Sequence, residues 1–250
     1  MKQYISRSEI AKQITCIFAL TLISALSYAA GWNIDPLRID LSPKQKTAAL
    51  TITNSSDQPT TIQIQPLAWS QIDGKDVYIP TKELLVTPPI FTIAGKSSQI
   101  IRMALRIPAD KSKELTYRIN LQEIAPSKTE NTTLVDVTMR VTIPVFIQPQ
   151  SAKAEPKLAW SVTTEPDHLI KLVLENSGTA HVKITDLNLS SVGQEQVIVS
   201  ETGANYILSG QAHTWMLKPA TPQKISSERL HLKAFTDAVN VDTIIVVDKP

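Results

Sequence analysis

Residues 134–148 alternate apolar and polar side chains and carry a proline near one end. One face of the segment holds Val135, Val137, Met139, Val141 and Ile143. Side chains alternate across a strand with a period of two, so the segment predicts a β-strand with two chemically different faces. Pro144 cannot donate a ladder hydrogen bond, which favours an edge position. Because a long apolar edge promotes aggregation, the strand either faces its own core or is offered to a partner.

The rest of the chain is a series of short alternating segments separated by turn residues about every ten positions. The 16 prolines and the weak helical periodicity argue against helices. Asp73-Gly74 is typical of a two-residue hairpin turn, and Thr87-Pro88-Pro89 is typical of an extended corner. The pattern predicts an all-β fold made of two immunoglobulin-like β-sandwiches.

A polar, proline-bounded linker at residues 150–157 divides this strand pattern into two halves. We expect an N-terminal sandwich at residues 30–149 and a C-terminal sandwich at residues 158–250. Each half has about 100 residues, which is the usual size of an immunoglobulin-like domain. Asn54-Ser55-Ser56 and Asn176-Ser177-Gly178 each follow an alternating segment, one in each half.

Residues 1–29 have the three parts of a secretory signal peptide. The positive charges at its start are those of Lys2, Arg7 and Lys12. An apolar run from Ile14 to Leu26 follows, and small residues lie before the expected cleavage point at Ala29. The run is shorter than the roughly 20 apolar residues that a spanning helix needs. We therefore expect a soluble, exported mature chain that does not insert into the membrane.

Charge and cysteine content exclude several classes of function. Removal of the signal peptide leaves 22 basic and 22 acidic residues, so the mature chain has none of the basic surplus of a nucleic-acid-binding protein. The single cysteine, Cys16, lies inside the signal peptide. The mature chain therefore has no thiol nucleophile, disulfide or cysteine-based metal site, and depends on its packed cores for stability.

The sequence has almost no recognisable catalytic motif. The four histidines are His168, His181, His213 and His231. Their spacing matches no metal-binding motif, and the sequence has no nucleophile elbow or phosphate-binding loop. We expect His181 and His231 to be surface or interface residues. The sequence thus predicts neither an enzyme nor a cofactor or metal site.

Several motifs, in order, resemble the periplasmic chaperones of chaperone–usher pili. They are Leu37-Arg38-Ile39-Asp40-Leu41, Leu50-Thr51-Ile52-Thr53-Asn54, Trp69, Asp73-Gly74, Thr87-Pro88-Pro89, Gln99-Ile100-Ile101-Arg102, residues 117–124 and Ile143-Pro144-Val145-Phe146. The C-terminal half is similar more loosely, through Leu174-Glu175-Asn176-Ser177-Gly178 and Tyr206-Ile207-Leu208. The resemblance covers almost the whole mature chain and rests on the joint order of the motifs.

The resemblance implies an L-shaped periplasmic chaperone that holds unassembled pilus subunits and delivers them to an outer-membrane usher. A pilus subunit lacks one strand of its sandwich, and the chaperone supplies it, a mode known as donor-strand complementation. The donor strand would be residues 134–143. Its groove-filling side chains would be those of Val135, Val137, Met139 and Val141. The free chaperone would be a monomer or a weak dimer that hides this strand.

The resemblance also implies that basic residues in the cleft between the domains bind the C-terminal carboxylate of the subunit. Arg38 lies at the position of the first of these residues. The common branch of the family has a lysine where this chain has Pro144, and the Tyr117-Arg118 pair instead resembles the archaic branch. We therefore predict that Arg38 and Arg118 bind the carboxylate, with Arg140 as a third candidate. Their guanidinium groups suit the planar carboxylate.

A second interpretation is an exported adhesin or pilus structural subunit built from immunoglobulin-like domains. Such subunits often carry a disulfide and a free N-terminal donor segment. This chain has no cysteine after the signal peptide and no obvious long tail. An enzyme built on β-sandwiches is the third and weakest interpretation.

Overall fold

The structure is a computed structural model that describes residues 31–125, 137–151, 153–193, 196–219 and 228–248. The predicted signal peptide and Val135 of the predicted donor strand lie outside these residues. Within the described ranges, no helix is long and apolar enough to cross a membrane.

The N-terminal half of the described chain forms a β-sandwich. Its strands are β1 (Trp32–Asp35), β2 (Ile39–Leu41), β3 (Thr47–Asn54), β4 (Thr60–Ile72), β5 (Lys75–Pro80), β6 (Leu84–Thr87), β7 (Ile90–Ile93), β8 (Ser98–Leu105), β9 (Leu115–Ile124) and β10 (Arg140–Ile147). One sheet has the order β1-β3-β8-β6. The facing sheet has the order β2-β10-β9-β4-β5, with β7 also paired to β4.

The alternation in the sequence explains which side chains fill the N-terminal core. Leu50 and Ile52 point inward from β3, while Ile119 and Leu121 point inward from β9, and all four are 0% exposed. Asp73 and Gly74 join β4 to β5 with φ values of 51° and 72°, which is the left-handed backbone that such a hairpin turn requires. The predicted hairpin is therefore present.

The C-terminal half forms a second sandwich around a separate core. Its strands are β11 (Leu158–Thr164), β12 (Ile170–Asn176), β13 (Val182–Ser191), β14 (Val197–Ile207), β15 (Gln211–Leu217), β16 (Arg229–Thr236) and β17 (Val241–Asp248). They follow one hydrogen-bonded path, β14-β13-β16-β17-β11-β12-β15. The core between them includes Leu172, Val182 and Leu232. The predicted all-β fold with two sandwiches is confirmed, while the exact domain boundaries stay predictions.

Strand β10 differs from its predicted form in two ways. Regular pairing begins at Arg140 rather than at residue 134, and residues 134–136 lie outside the described residues. The strand is also not an edge strand over its whole length, because Val145–Ile147 pair with β2 on one side and with β9 on the other. Only the first half, Arg140–Pro144, pairs with β9 alone. The free edge is therefore confined to the half that precedes Val145.

Candidate functional site

Apolar side chains from both sandwiches meet between them, in what we call the interdomain cleft: the aromatic Trp69, Phe146 and Tyr206, and the aliphatic Leu208. Trp69 and Phe146 are 3% and 0% exposed, and their ring centroids lie 6.0 Å apart. Tyr206 of β14 meets Trp69 edge-on at 5.4 Å. This contact gives the cleft a rigid apolar floor on which charged side chains can be placed.

The outer face of the β4-β9-β10 sheet supplies the N-terminal side of this floor. In β4, Ile62 and Ile64 point into the N-terminal core, while Gln63 and Gln65 on the opposite face are exposed. Farther along that same outer face, Trp69 and Gln71 are buried, because the C-terminal sandwich covers them. The alternation of the strand thus continues, and only what covers the outer face changes.

Arg38 lies immediately before β2 at the rim of the cleft. Its Nε donates to both carboxylate oxygens of Asp40, at 3.1 and 3.0 Å, and its Nη1 donates to Asp237 Oδ2 at 2.6 Å. The guanidinium carbon is 4.8 Å from the ring centroid of Phe146. Burial alone would lower the pKa of Arg38, but the bonds and charges of Asp40 and Asp237 raise it. Arg38 is a fixed cation that two carboxylates already hold.

Arg118 of β9 lies deeper in the cleft, on the outer face of its sheet. Its guanidinium carbon is 3.8 Å from the ring centroid of Trp69 and 5.1 Å from that of Tyr206. Its Nε is buried without a hydrogen-bond partner among the described residues. An arginine packed on aromatic rings keeps its charge and its N–H donors. Arg118 therefore offers an unused donor to a planar anion such as a carboxylate.

Asp76 is an acidic neighbour of Arg118 on the floor of the cleft. Its Oδ1 accepts hydrogen bonds from Trp69 Nε1 and Gln71 Nε2, both at 2.9 Å, and Tyr78 donates to its Oδ2 at 2.6 Å. Burial alone would raise the pKa of Asp76, but these three bonds and the charge of Arg118 lower it. The carboxylate is thus already occupied by other donors, and the Nε of Arg118 has no hydrogen-bond partner among the described residues.

A chain of ionisable side chains, buried at one end and partly exposed at the other, connects the two sandwiches beside Phe146. His181, which precedes β13, is 5% exposed and stacks on Phe146 with centroids 3.5 Å apart. Its Nδ1 is 2.6 Å from Glu114 Oε1 in the N-terminal sandwich. Its Nε2 is 3.4 Å from Asp237 Oδ2, the oxygen that also binds Arg38. The chain thus runs from one sandwich to the other and ends at Arg38.

The predicted donor residues extend the core-facing row of β10 into solvent. Ile143 is 1% exposed and Val141 packs partly against the N-terminal core, while Val137 is 88% exposed. Met139 is half-buried, and its carbonyl accepts the backbone N–H of Glu123 at 2.9 Å. An apolar row therefore leaves the core along a strand whose other edge has no partner in the part of the chain that the structure describes, the arrangement that strand addition requires.

The structure brings some of the predicted site residues together and separates others. Arg38 and Arg118 both line the interdomain cleft. Arg140 is exposed and donates to Gln122 on β9 instead. The prediction missed His181 as a bridge between carboxylates and Asp237 as its partner. No local signal marks these two residues, because the contact joins positions far apart in the chain.

Comparison with known proteins agrees with this geometry. Residues 31–153 match the family model described as pili and flagellar-assembly chaperone, PapD N-terminal domain. The probable fimbrial chaperone LpfB of Escherichia coli O157:H7 is 27% identical over 146 residues, which cover 56% of this chain. The matched region spans 60% of that relative's length.

Solved structures of similar fold cover most of the chain. The CsuC–CsuE chaperone–tip adhesion subunit pre-assembly complex from archaic Csu pili of Acinetobacter baumannii has a TM-score of 0.65 at 22% identity, over 88% of this chain and 100% of the matched one. The Salmonella enterica SafA pilin in complex with the SafB chaperone has a TM-score of 0.59 at 16% identity, over 87% and 97%.

Two β-sandwiches that meet at a cationic cleft, with an apolar strand leaving the core beside it, define a chaperone fold of the PapD type. The N-terminal sandwich, at residues 31–153, matches the PapD N-terminal domain of pili and flagellar-assembly chaperones.

Proposed function

We propose that the protein is a periplasmic chaperone that stabilises unassembled pilus subunits by donor-strand complementation. The observation that carries the proposal is the apolar row that runs from the core side of β10 out to the exposed Val137, beside a strand edge that has no partner among the described residues. The SafB and CsuC complexes support it, because in each of them a chaperone is bound to a pilin or to a tip subunit.

The donor residues in the proposal are Val135, Val137, Met139 and Val141. Main-chain hydrogen bonds along the free edge bind a subunit strand with little dependence on its sequence, while alternate side chains fill its pockets. Full burial of each apolar side chain contributes about 1.5–3 kcal/mol. The sum exceeds the net affinity, because association orders both partners. The apolar donor residues therefore suit pilus subunits of related but different sequence.

Arg38 and Arg118 bind the C-terminal carboxylate of the subunit in this proposal. A carboxylate removed from water requires charged donors, and the buried Nε of Arg118 has no other partner among the described residues. Fixing the end of the client strand also fixes its register. A slip of one residue would turn the apolar face of the client away from its groove.

The proposed setting of this activity is the periplasm, after cleavage of residues 1–29. There the protein would deliver its subunits to an outer-membrane usher. Without a client it would be a monomer, or a weak dimer that covers the free edge of β10, because an uncovered apolar edge promotes association.

The test is co-purification of the protein with a pilus subunit encoded beside its gene. Val137→Asp combined with Met139→Asp should abolish co-purification, because two carboxylates would enter apolar pockets without partners. The residue exposures predict that this variant folds, since Val137 is 88% exposed and Met139 is half-buried. Circular dichroism checks the fold.

Thr138→Asp combined with Thr142→Asp is the matched control. Both threonines are exposed and lie on the opposite face of the same segment, so this variant adds equal charge but should keep the subunit. Normal binding by the folded Val137/Met139 variant would contradict the proposal. Recovery of the chain within purified fibres would favour a structural subunit instead.

A further inference from the structure

His181 is the buried titratable group nearest the proposed carboxylate site. Both of its ring nitrogens face carboxylates, with Nδ1 2.6 Å from Glu114 and Nε2 3.4 Å from Asp237. A neutral imidazole has one N–H and one lone pair, so it can donate to only one of them. The neutral ring would turn its lone pair toward one of two carboxylates, those of the buried Glu114 and the partly exposed Asp237. The geometry therefore suits the doubly protonated imidazolium.

Charged groups face His181 from several elements. Glu114 lies just before β9, Asp237 follows β16, and Arg38 precedes β2. Two residues after His181, in β13, Lys183 donates its backbone N–H to Asp237 Oδ1 at 2.8 Å. The other groups packed on the ring are the aromatic side chains of Phe146 on β10 and Tyr206 on β14. Asp40 also binds Arg38, so three carboxylates, those of Asp40, Glu114 and Asp237, face the charges of Arg38 and a protonated His181.

The pKa shifts have the sign that this balance requires. Burial alone would lower the pKa of His181 and the charge of Arg38 lowers it too, but the bonds to Asp237 and Glu114 raise it above its usual 6.5. Burial would raise the pKa of Asp237, but hydrogen bonds from His181 and Lys183 and the charges of His181 and Arg38 lower it to about 2. The ion pair therefore stabilises the fold below pH 6.5 and is lost as the pH rises through the raised pKa of His181.

Asp237 connects this equilibrium to Arg38. The same oxygen, Oδ2, contacts Arg38 Nη1 at 2.6 Å and His181 Nε2 at 3.4 Å. When His181 is protonated, Asp237 has a second cation, and the local field at Arg38 is more positive by one charge. When His181 is neutral, Arg38 alone neutralises Asp237. An incoming carboxylate must then compete for Arg38 with an Asp237 that has no other cation.

We propose that His181 is a positioning residue whose protonation links the two sandwiches and prepares Arg38 to receive the carboxylate of a client. The proposal rests on the proposed function for the identity of that client. Affinity for a client carboxylate then rises as the pH falls through the pKa of His181. Binding of the carboxylate increases the proton affinity of His181 by the same factor, because the coupling of two sites is reciprocal.

The coupling should be large enough to measure. Both cations contact one oxygen, so the two nitrogens are no more than about 6 Å apart. A charge at that distance in a partly buried site changes anion affinity by about tenfold. The C-terminal carboxylate of the client, with an ordinary pKa of about 3.5, stays ionised throughout the range in which His181 titrates.

Nuclear magnetic resonance of the wild-type protein tests the charge state without any client. The imidazole signals are followed with pH and assigned with His181→Gln. We expect His181 to titrate above 6.5, and Arg38→Ala to raise that pKa further, because it removes a like charge. Titration of His181 below 6.5, or an unchanged pKa in Arg38→Ala, would overturn the proposal.

A second measurement tests the coupling to client binding. Dissociation of a neighbouring-gene pilus subunit is compared at about pH 5.5 and about pH 8. Wild type should bind about tenfold more tightly at the lower pH, and His181→Gln should lose this difference, whereas His231→Gln, a control far from the cleft, should keep it. Equal pH dependence in wild type and His181→Gln would overturn the coupling. If wild type binds no subunit at either pH, the proposed function fails, while the titration still decides the charge state.

Discussion

At the scale of single residues, the two cleft arginines differ in what they already bind. Arg38 has its Nε and Nη1 on Asp40 and Asp237, so a client carboxylate must share or displace these partners. Arg118 packs on Trp69 and keeps a buried Nε without a partner among the described residues. The motifs of the sequence predicted both residues. They did not predict this difference in binding partners, because Asp237 lies far from Arg38 in the chain.

Replacing either arginine should weaken client binding. We expect Arg118→Ala and Arg38→Ala each to reduce subunit affinity by about tenfold to a hundredfold, because each removes a charged hydrogen bond to a desolvated carboxylate. Affinity is measured by titration of the purified chaperone against a subunit's C-terminal peptide. Arg102→Ala, on the exposed outer face of β8, is the control and should bind normally. Full affinity in both cleft variants would show that the carboxylate binds elsewhere.

At the scale of strands, alternation predicts the interior of an element better than its ends. The motif at residues 117–124 alternates polar and apolar side chains and lies within the observed β9, because every second side chain faces one core. The observed β15 (Gln211–Leu217) was not predicted, since its apolar positions are spaced among polar ones near His213. Among the described residues, β10 begins at Arg140 and residues 137–139 of the predicted donor segment precede it. Alternation does not predict this start, because it does not reveal whether a partner strand is available to pair with them.

Equivalent asparagines stabilise one strand end in each sandwich. Asn54, at the end of β3, is 1% exposed and donates from Nδ2 to the carbonyls of Gln58, Ile93 and Ala94. Asn176, at the end of β12, is also 1% exposed and donates to the carbonyls of Ala180, Ile207 and Leu208. Their similar sequence contexts thus reflect one solution to the same problem, which is to satisfy buried carbonyls where a strand ends.

Loss of either asparagine should destabilise its own sandwich. We expect Asn176→Ala to lower the free energy of unfolding by about 2–4 kcal/mol, because several buried carbonyls lose their donor. Urea unfolding followed by fluorescence measures the change. Asn33→Ala on the exposed face of β1 is the matched control and should change stability by less than about 0.5 kcal/mol. An equal, small effect in both variants would show that water replaces the amide.

At the scale of the whole molecule, the contact between the sandwiches is the part that local pattern could not predict. Trp69 and Phe146 lie on outer strand faces, where an isolated sandwich would expose them to water. The sequence marked Trp69 only through a family motif. Which outer positions are covered depends on the relative placement of two separately folded cores, and no periodicity within either half contains that information.

Gln71 connects the two sandwiches through its whole amide group. Its Nε2 donates to the carbonyl of Tyr206 at 2.8 Å and to Asp76 at 2.9 Å, and its Oε1 accepts from the backbone N–H of Leu208 at 2.9 Å. Gln71 is 8% exposed. Two main-chain groups of the C-terminal sandwich therefore depend on one side chain of β4, so Gln71 fixes the relative position of the two halves.

We expect Gln71→Ala to uncouple the halves while leaving each core intact. The Tyr206 carbonyl and the Leu208 N–H would lose their partner in a buried contact, which destabilises the interface by about 2–3 kcal/mol. Calorimetry should then show two separated unfolding transitions where the wild-type protein shows one, and small-angle scattering should show a wider distribution of shapes. Gln63→Ala, an exposed position of the same strand, should behave like wild type. Since Arg38 and Asp237 lie on opposite sides of this interface, a looser contact should also reduce subunit affinity. A single transition at the wild-type temperature in Gln71→Ala would show that the aromatic and ionic contacts suffice to hold the two sandwiches together.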